Sequence, residues 1–123
     1  MKNLLFLLLL SVLLFSCKKS DSSNSNSSYW DVKYEITSNT AVSNLLVDYR
    51  DETGAVQSAI SVNSLPWTYE AHWSKSASPQ TKALSLAAFY DYGYQVTEAI
   101  YVNGVIVPQT SNPYSPILTY ELQ

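Results

Sequence analysis

From Trp30 to Thr37 the chain alternates apolar and polar residues without a break, placing Trp30, Val32, Tyr34 and Ile36 on one side and Asp31, Lys33, Glu35 and Thr37 on the other. Successive side chains of an extended strand point to opposite faces, so this period of two specifies a half-buried β-strand and excludes an amphipathic helix. The same phase returns in Leu45, Val47 and Tyr49 against Asn44, Asp48 and Arg50, with Leu46 on the polar side. Further strands are predicted over 55–62, 67–74, 82–90, 95–103, 105–107 and 117–122, and no segment carries a helical period.

The turn residues agree with this reading. Gly54 in "DETG", Gly93 in "DYGY" and Gly104 in "VNGV" each fall between predicted strands. Asn103-Gly104 between "AIYV" and "VIV" is the strongest of these signals, because a two-residue type I′ hairpin needs positive φ at both central positions. Pro66 and Pro79 bracket one strand, while Pro108, Pro113 and Pro116 crowd a late loop, as expected of a residue that cannot donate to a ladder. The expected fold is all-β, an immunoglobulin-like antiparallel β-sandwich of about seven strands, with a small β-barrel as the alternative. The expected core uses Trp30, Tyr34, Trp67 and either Phe89 or Tyr90.

The N-terminal segment has a different character. A basic start, an apolar run over 4–10 and 12–15, and small Ser16 before Cys17 have the organisation of a secretory signal peptide. The run is roughly a dozen residues, short of the ~20 that a spanning helix needs. Leu14-Phe15-Ser16-Cys17 resembles the bacterial lipobox, which implies cleavage between Ser16 and Cys17 and acylation of Cys17, the only cysteine of the chain. The tract "KKSDSSNSNSS" over 18–28 offers nothing apolar to bury and reads as a tether, with a typical reach on the order of 20 Å. The expected division is 1–16 signal peptide, 17–28 lipidated Cys17 with its tether, and 29–123 one β-sandwich domain. Lys18 after the cysteine, as lipoproteins of this kind imply, favours the outer membrane, with the periplasmic and surface faces both open.

Composition narrows the function. The chain has 7 basic and 10 acidic side chains; without 1–16 it loses Lys2 and no acid, leaving 6 − 10 = −4. That balance excludes the basic footprint of a nucleic-acid binder. One histidine, His72, sits on the polar side of "TYEAHWS" and reads as solvated. No metal-ligand set, activated nucleophile or Gly-rich phosphate loop is present, and Asp48, Asp51 and Glu52 lack the spacing of a calcium loop. No enzyme, cofactor or metal is expected. Glu98 falls on the face of Val96, Ile100 and Val102, where it reads either as a buried functional acid or, in the favoured reading, as a group splayed to water or paired with a Lys or Arg.

The order "VKYEIT", "LLVDYRDETG", "SLPWTYEAHW", "LSLAAFYDYG", "AIYVNGVIV" resembles the soluble domain of the MmpS family, membrane-anchored accessory proteins of RND-type exporters. The resemblance spans 32–122 and rests on Tyr34-Glu35, Leu65-Pro66-Trp67, and Ile100, Val102, Asn103 and Gly104. Members of that family are usually held by a transmembrane helix and carry cysteines where this chain has Glu98 and Tyr120 or Glu121. The resemblance implies a sandwich fold and an exporter as partner.

Tyrosine is abundant, with 10 in the chain, and it suits surfaces that need both apolar contact and a hydroxyl. Tyr92 and Tyr94 flank Gly93 in an expected hairpin "FYDYGYQV", and Tyr101 and Tyr114 lie near other turns or exposed faces. These four are the candidate contact residues. The expected function is a non-enzymatic, lipid-anchored cell-envelope interaction module, accessory to an RND-type exporter. The alternative is an envelope lipoprotein that binds a glycan or lipid through surface tyrosines.

Overall fold

The computed structural model describes residues 27–91, 93–107 and 117–123. Eight strands and one helical turn follow in chain order: β1 Tyr29–Ser38, β2 Leu45–Arg50, β3 Val56–Val62, β4 Trp67–Ser74, α1 Pro79–Lys82, β5 Ala83–Phe89, β6 Val96–Val102, β7 Val105–Ile106 and β8 Ile117–Glu121. Proline in the first turn of α1 is compatible with its fixed φ, and the turn packs no buried residue of its own.

The strands form two antiparallel four-stranded sheets, sheet A in the order β4-β1-β6-β7 and sheet B in the order β3-β2-β5-β8. The inward residues of both sheets build one core. Trp30, Val32, Tyr34, Ile36, Trp73 and Ile100 come from sheet A; Leu45, Val47, Leu84, Leu86, Ala88 and Leu118 come from sheet B. The arrangement is that of a sandwich. No strand pairing joins the two sheets among the described residues, so the closed barrel is not what forms.

Two expectations about strand β5 are corrected. Phe89 and Tyr90 are 43 % and 37 % exposed and neither is core. The reason is phase: Leu84, Leu86 and Ala88 point inward, which turns Phe89 outward. Trp73, fully buried, supplies the large ring in their place. The segment "FYDYGYQV" is also not a hairpin, because β5 belongs to sheet B and β6 to sheet A. It carries the chain from one layer to the other.

The Asn103-Gly104 turn is as its sequence predicts. Both residues have positive φ, 51° and 79°, and Val102 pairs with Val105 across it. The acids of the 48–52 region build structure. Asp51 Oδ1 accepts from the Thr53 and Ala55 amides, each at 3.0 Å, and Asp48 Oδ1 accepts at 2.7 Å from the amide of Ala59, the positive-φ residue at the irregularity of β3.

Candidate functional site

The alternation that buries Trp30, Val32, Tyr34 and Ile36 obliges Asp31, Lys33 and Glu35 to stand on the outer face of sheet A. Register then decides their neighbours. Asp31 lies opposite His72, and Lys33 lies between Glu70 of β4 and Tyr101 of β6. The result is an open groove of about 630 Å³ whose walls include Asp31, Lys33, Glu70, His72, Tyr101 and Gly104.

Two of these groups, Lys33 and Tyr101, form a tight set with Glu35. The Lys33 ammonium contacts Glu35 Oε2 at 2.8 Å and sits 4.1 Å from the centre of the Tyr101 ring, while the Tyr101 hydroxyl donates to Glu35 Oε1 at 3.0 Å. The hydrogen bond from Lys33, reinforced by that from Tyr101, holds the Glu35 carboxyl below its usual range. The same bond holds the Lys33 ammonium above its own, and the bond to Glu35 raises the Tyr101 hydroxyl. The set is therefore a fixed cation, a fixed anion and a neutral phenol at ordinary pH. Solvent-accessible pairs of this kind add little stability, on the order of 0–1 kcal/mol, so their effect is to hold donors, acceptors and one ring in register.

His72 Nδ1 lies 2.7 Å from Asp31 Oδ1, and both side chains are about three-quarters exposed. An Asp–His pair can activate a hydroxyl or thiol placed at the other ring nitrogen. Among the described residues the hydrogen bonds of His72 end at Asp31. No group of three His, Cys, Asp or Glu side chains among the described residues is placed to hold a metal ion.

The candidate contact residues do not converge. Tyr101 is in the groove, but Tyr94 lies at the opposite end of β6, roughly 20 Å away by strand rise. There the Tyr94 hydroxyl is 3.1 Å from Ser43 Oγ, beside a hollow of about 560 Å³ bounded by Tyr90, Asp91, Gly93 and Gln95. Tyr92, Tyr114, Ser16 and Cys17 lie outside the described residues, as does the tether over 17–26.

Glu98 is not splayed to water. It is half-buried and reaches from sheet A to sheet B, where its Oε1 accepts the Ala88 amide at 3.1 Å. Burial pushes its carboxyl up to about 7, against the lowering effect of that amide. A second bridge between layers is aromatic: Tyr49 of β2 packs on Tyr69 of β4 with ring centres 4.6 Å apart, and the Tyr69 hydroxyl donates to Glu52.

Asp31, Lys33 and Glu35 were readable only as the polar face of a strand. Their assembly with Glu70, His72 and Tyr101 depends on β4 and β6 both pairing with β1, a non-local fact. The His72 reading is corrected accordingly: it is exposed, as expected, yet held by Asp31 through cross-strand register.

Fold and groove together define an all-β domain of two four-stranded sheets with a polar, aromatic-lined outer face. No family model, no curated protein and no solved structure matches the chain. That result corrects the class terms that the sequence reading attached to the chain, from lipoprotein and outer membrane to MmpS-like. No match carries them, and the exporter partnership, which rested on the resemblance alone, is dropped with it.

Proposed function

We propose that this chain is a non-enzymatic interaction module that works at a cell-envelope membrane, with Cys17 as its point of attachment and the sheet A groove as its contact surface. The observation that carries the reading is the pre-set groove: Lys33, Glu35 and Tyr101 hold one another in fixed charge states and geometry before any partner arrives. Pre-organised polar groups around a ring favour recognition, because little side-chain entropy remains to be lost on contact. The His72–Asp31 pair on the same face suits hydrogen bonding to a partner. We read the two facing sheets as an immunoglobulin-like sandwich, a fold that presents such faces to other molecules.

A second reading has support from the same groove. Asp31, Glu35 and Glu70 set carboxylates around the half-buried Tyr101 ring, a combination that suits the hydroxyls and apolar face of a glycan.

The test is in-cell photo-crosslinking. A photoreactive residue at Glu70, on the groove, should capture an envelope protein or glycan; the same residue at Ser58, exposed on β3, should not. Equal capture at both positions, or none at Glu70, refutes the groove. Membrane fractionation of Cys17→Ala tests the attachment separately: release from the membrane is expected, and retention refutes it.

A further inference from the structure

We infer that the outer edge of β4 is a self-pairing surface: two copies of this chain join sheet A to sheet A through antiparallel β4 strands, around a two-fold axis at Ala71. The inference goes beyond the groove and the membrane attachment and stands without either.

The first observation is which backbone groups the edge leaves open. Sheet A ends at β4, and among the described residues no strand pairs with its outer side. The Lys75 amide donates to Ser28 O at 2.9 Å, and the Asn103 amide donates to Asp31 O at 2.7 Å. Hydrogen-bonded and non-hydrogen-bonded pairs alternate along an antiparallel ladder. In the register of β1, Trp67, Tyr69, Ala71 and Trp73 therefore turn their backbone groups toward β1, and Thr68, Glu70, His72 and Ser74 turn theirs outward. Of these outward groups the Ser74 carbonyl is taken, by the Ala77 amide at 3.1 Å.

The second observation is that this edge lacks what blunts the others. Exposed edges are ordinarily short or bulged, or carry lysine or proline. β7 has 2 residues and β8 has 5. β3 shifts register opposite Val47 and Tyr49 and carries Ala59 at positive φ. β4 keeps one register against β1 along all 8 residues, and Trp67–Ser74 contains no lysine, proline or glycine.

The third observation is self-complementarity. With Ala71 opposite itself, Glu70 lies opposite the partner's His72 and Thr68 opposite the partner's Ser74, so the outward-turned residues of the two strands face one another. Glu70 and His72 are exposed, and Glu70 makes no ion pair among the described residues. His72 Nδ1 is engaged by Asp31, which leaves Nε2 for the partner's carboxylate. The lateral row Tyr101, Lys33, Glu70 then runs on into the partner's His72 and the partner's Asp31. Sliding one strand by a pleat in either direction sets Glu70 against Glu70 or His72 against His72. Charge thus selects the register, and small Ala71 sits at the non-hydrogen-bonded pair on the axis, where facing Cα atoms come within about 4.5 Å. An isologous contact of this kind closes at two copies. It leaves the outer face of sheet A open, with the two grooves side by side.

The test uses the full chain with Cys17→Ala, so that an introduced cysteine is the only thiol. Under mild oxidation Ala71→Cys should give a disulfide-linked dimer, because the Cα separation on the axis lies within disulfide range. Ser58→Cys, exposed on β3, should not. In the thiol-free chain, Glu70→Lys sets an ammonium against the partner's imidazole, and His72→Glu sets carboxylate against carboxylate. Each should raise the dimer dissociation constant on the order of tenfold. Mixing the two variants should restore the parent value, since both facing pairs are then complementary, and that rescue shows that neither variant has lost its fold. A parent chain that stays monomeric at all concentrations overturns the inference, as does a dimer that Ala71→Cys fails to trap, that Ser58→Cys traps equally, or that mixing leaves weakened. Oxidation in cells that links position 71 to a different protein, in place of a second copy, gives this edge to a foreign strand and overturns it as well.

Discussion

The Tyr34 hydroxyl donates to the Arg50 carbonyl at 2.8 Å, tying the middle of β1 in sheet A to the end of β2 in sheet B. Tyr34 is fully buried, and burial keeps its proton on far above neutral pH, so it is a permanent donor. Its ring also contacts Tyr69 and Trp73, with centres 6.1 Å and 5.9 Å away. Tyr34→Phe keeps the ring contacts and removes only the donor, leaving a carbonyl short of its partner. The expected loss is about 1–2 kcal/mol, read as a lower denaturant midpoint with unchanged m-value. Tyr34→Ala also opens a cavity and should cost about 3–5 kcal/mol.

Two glycines share a backbone conformation and differ in surroundings. Gly54 and Gly104 have φ of 86° and 79°. A Cβ at Gly104 meets nothing within 4 Å, whereas one at Gly54 meets Thr81 Oγ1 at 3.1 Å and Thr81 Cα at 3.3 Å. Gly104→Ala should therefore cost only the left-handed strain, about 1–2 kcal/mol. Gly54→Ala should cost more, because the α1 turn must also move. Thermal unfolding of the pair checks the order.

These contrasts show which parts of the molecule could be read in advance. Strand β1 and the Asn103-Gly104 hairpin were legible because their signals are local: an unbroken alternation, and two residues that accept positive φ. The boundary of β4 at 67–74 was legible for the same reason. The joining of β5 to β6 was not, since "DYGY" has turn composition whether the flanking strands pair or part into different sheets. That error placed Tyr94 at a hairpin tip; it lies instead in a crossover, bonded to Ser43. Lys33, Glu35 and Tyr101 illustrate the same limit, being visible singly as polar-face residues and together only through register. A short helix over 79–82 was missed because four residues are too few to show a period.

Glu98 should give the domain an unusual pH dependence. Its carboxyl is raised from 4.5 to about 7, so the folded state holds this proton to higher pH than the unfolded state does. The stabilisation is complete below about 4.5 and is lost as pH rises through about 7. The swing corresponds to about 1–3 kcal/mol. Glu35 and Asp51, with lowered values, work in the opposite sense at more acid pH. Glu98→Gln keeps a carbonyl oxygen for the Ala88 amide and removes the titration. Denaturation midpoints of the parent chain should fall between pH 5 and pH 8, and those of Glu98→Gln should stay level over that window. A parent profile that rises with pH would contradict the burial of this acid.

The groove makes the sharpest functional forecast, because its members can be altered without touching the core. Tyr101→Phe leaves the ring under Lys33 and removes the hydrogen bond to Glu35; Glu35→Gln removes the anion that both Lys33 and Tyr101 engage. Each side chain is only half-buried, so stability should change by less than about 1 kcal/mol. If the pre-set geometry is what a partner recognises, either change should weaken capture by about 1–2 kcal/mol, roughly five- to thirtyfold in affinity. Tyr94→Phe, on the far end of β6, should leave capture unchanged. The measurement is crosslinking yield from position 70 against partner concentration, run beside an unfolding curve for each variant. Loss of capture in Tyr94→Phe with none in Tyr101→Phe would move the contact surface to the crossover loop, and an unfolding midpoint that collapsed in Tyr101→Phe would make that hydroxyl a structural element of β1–β6 pairing.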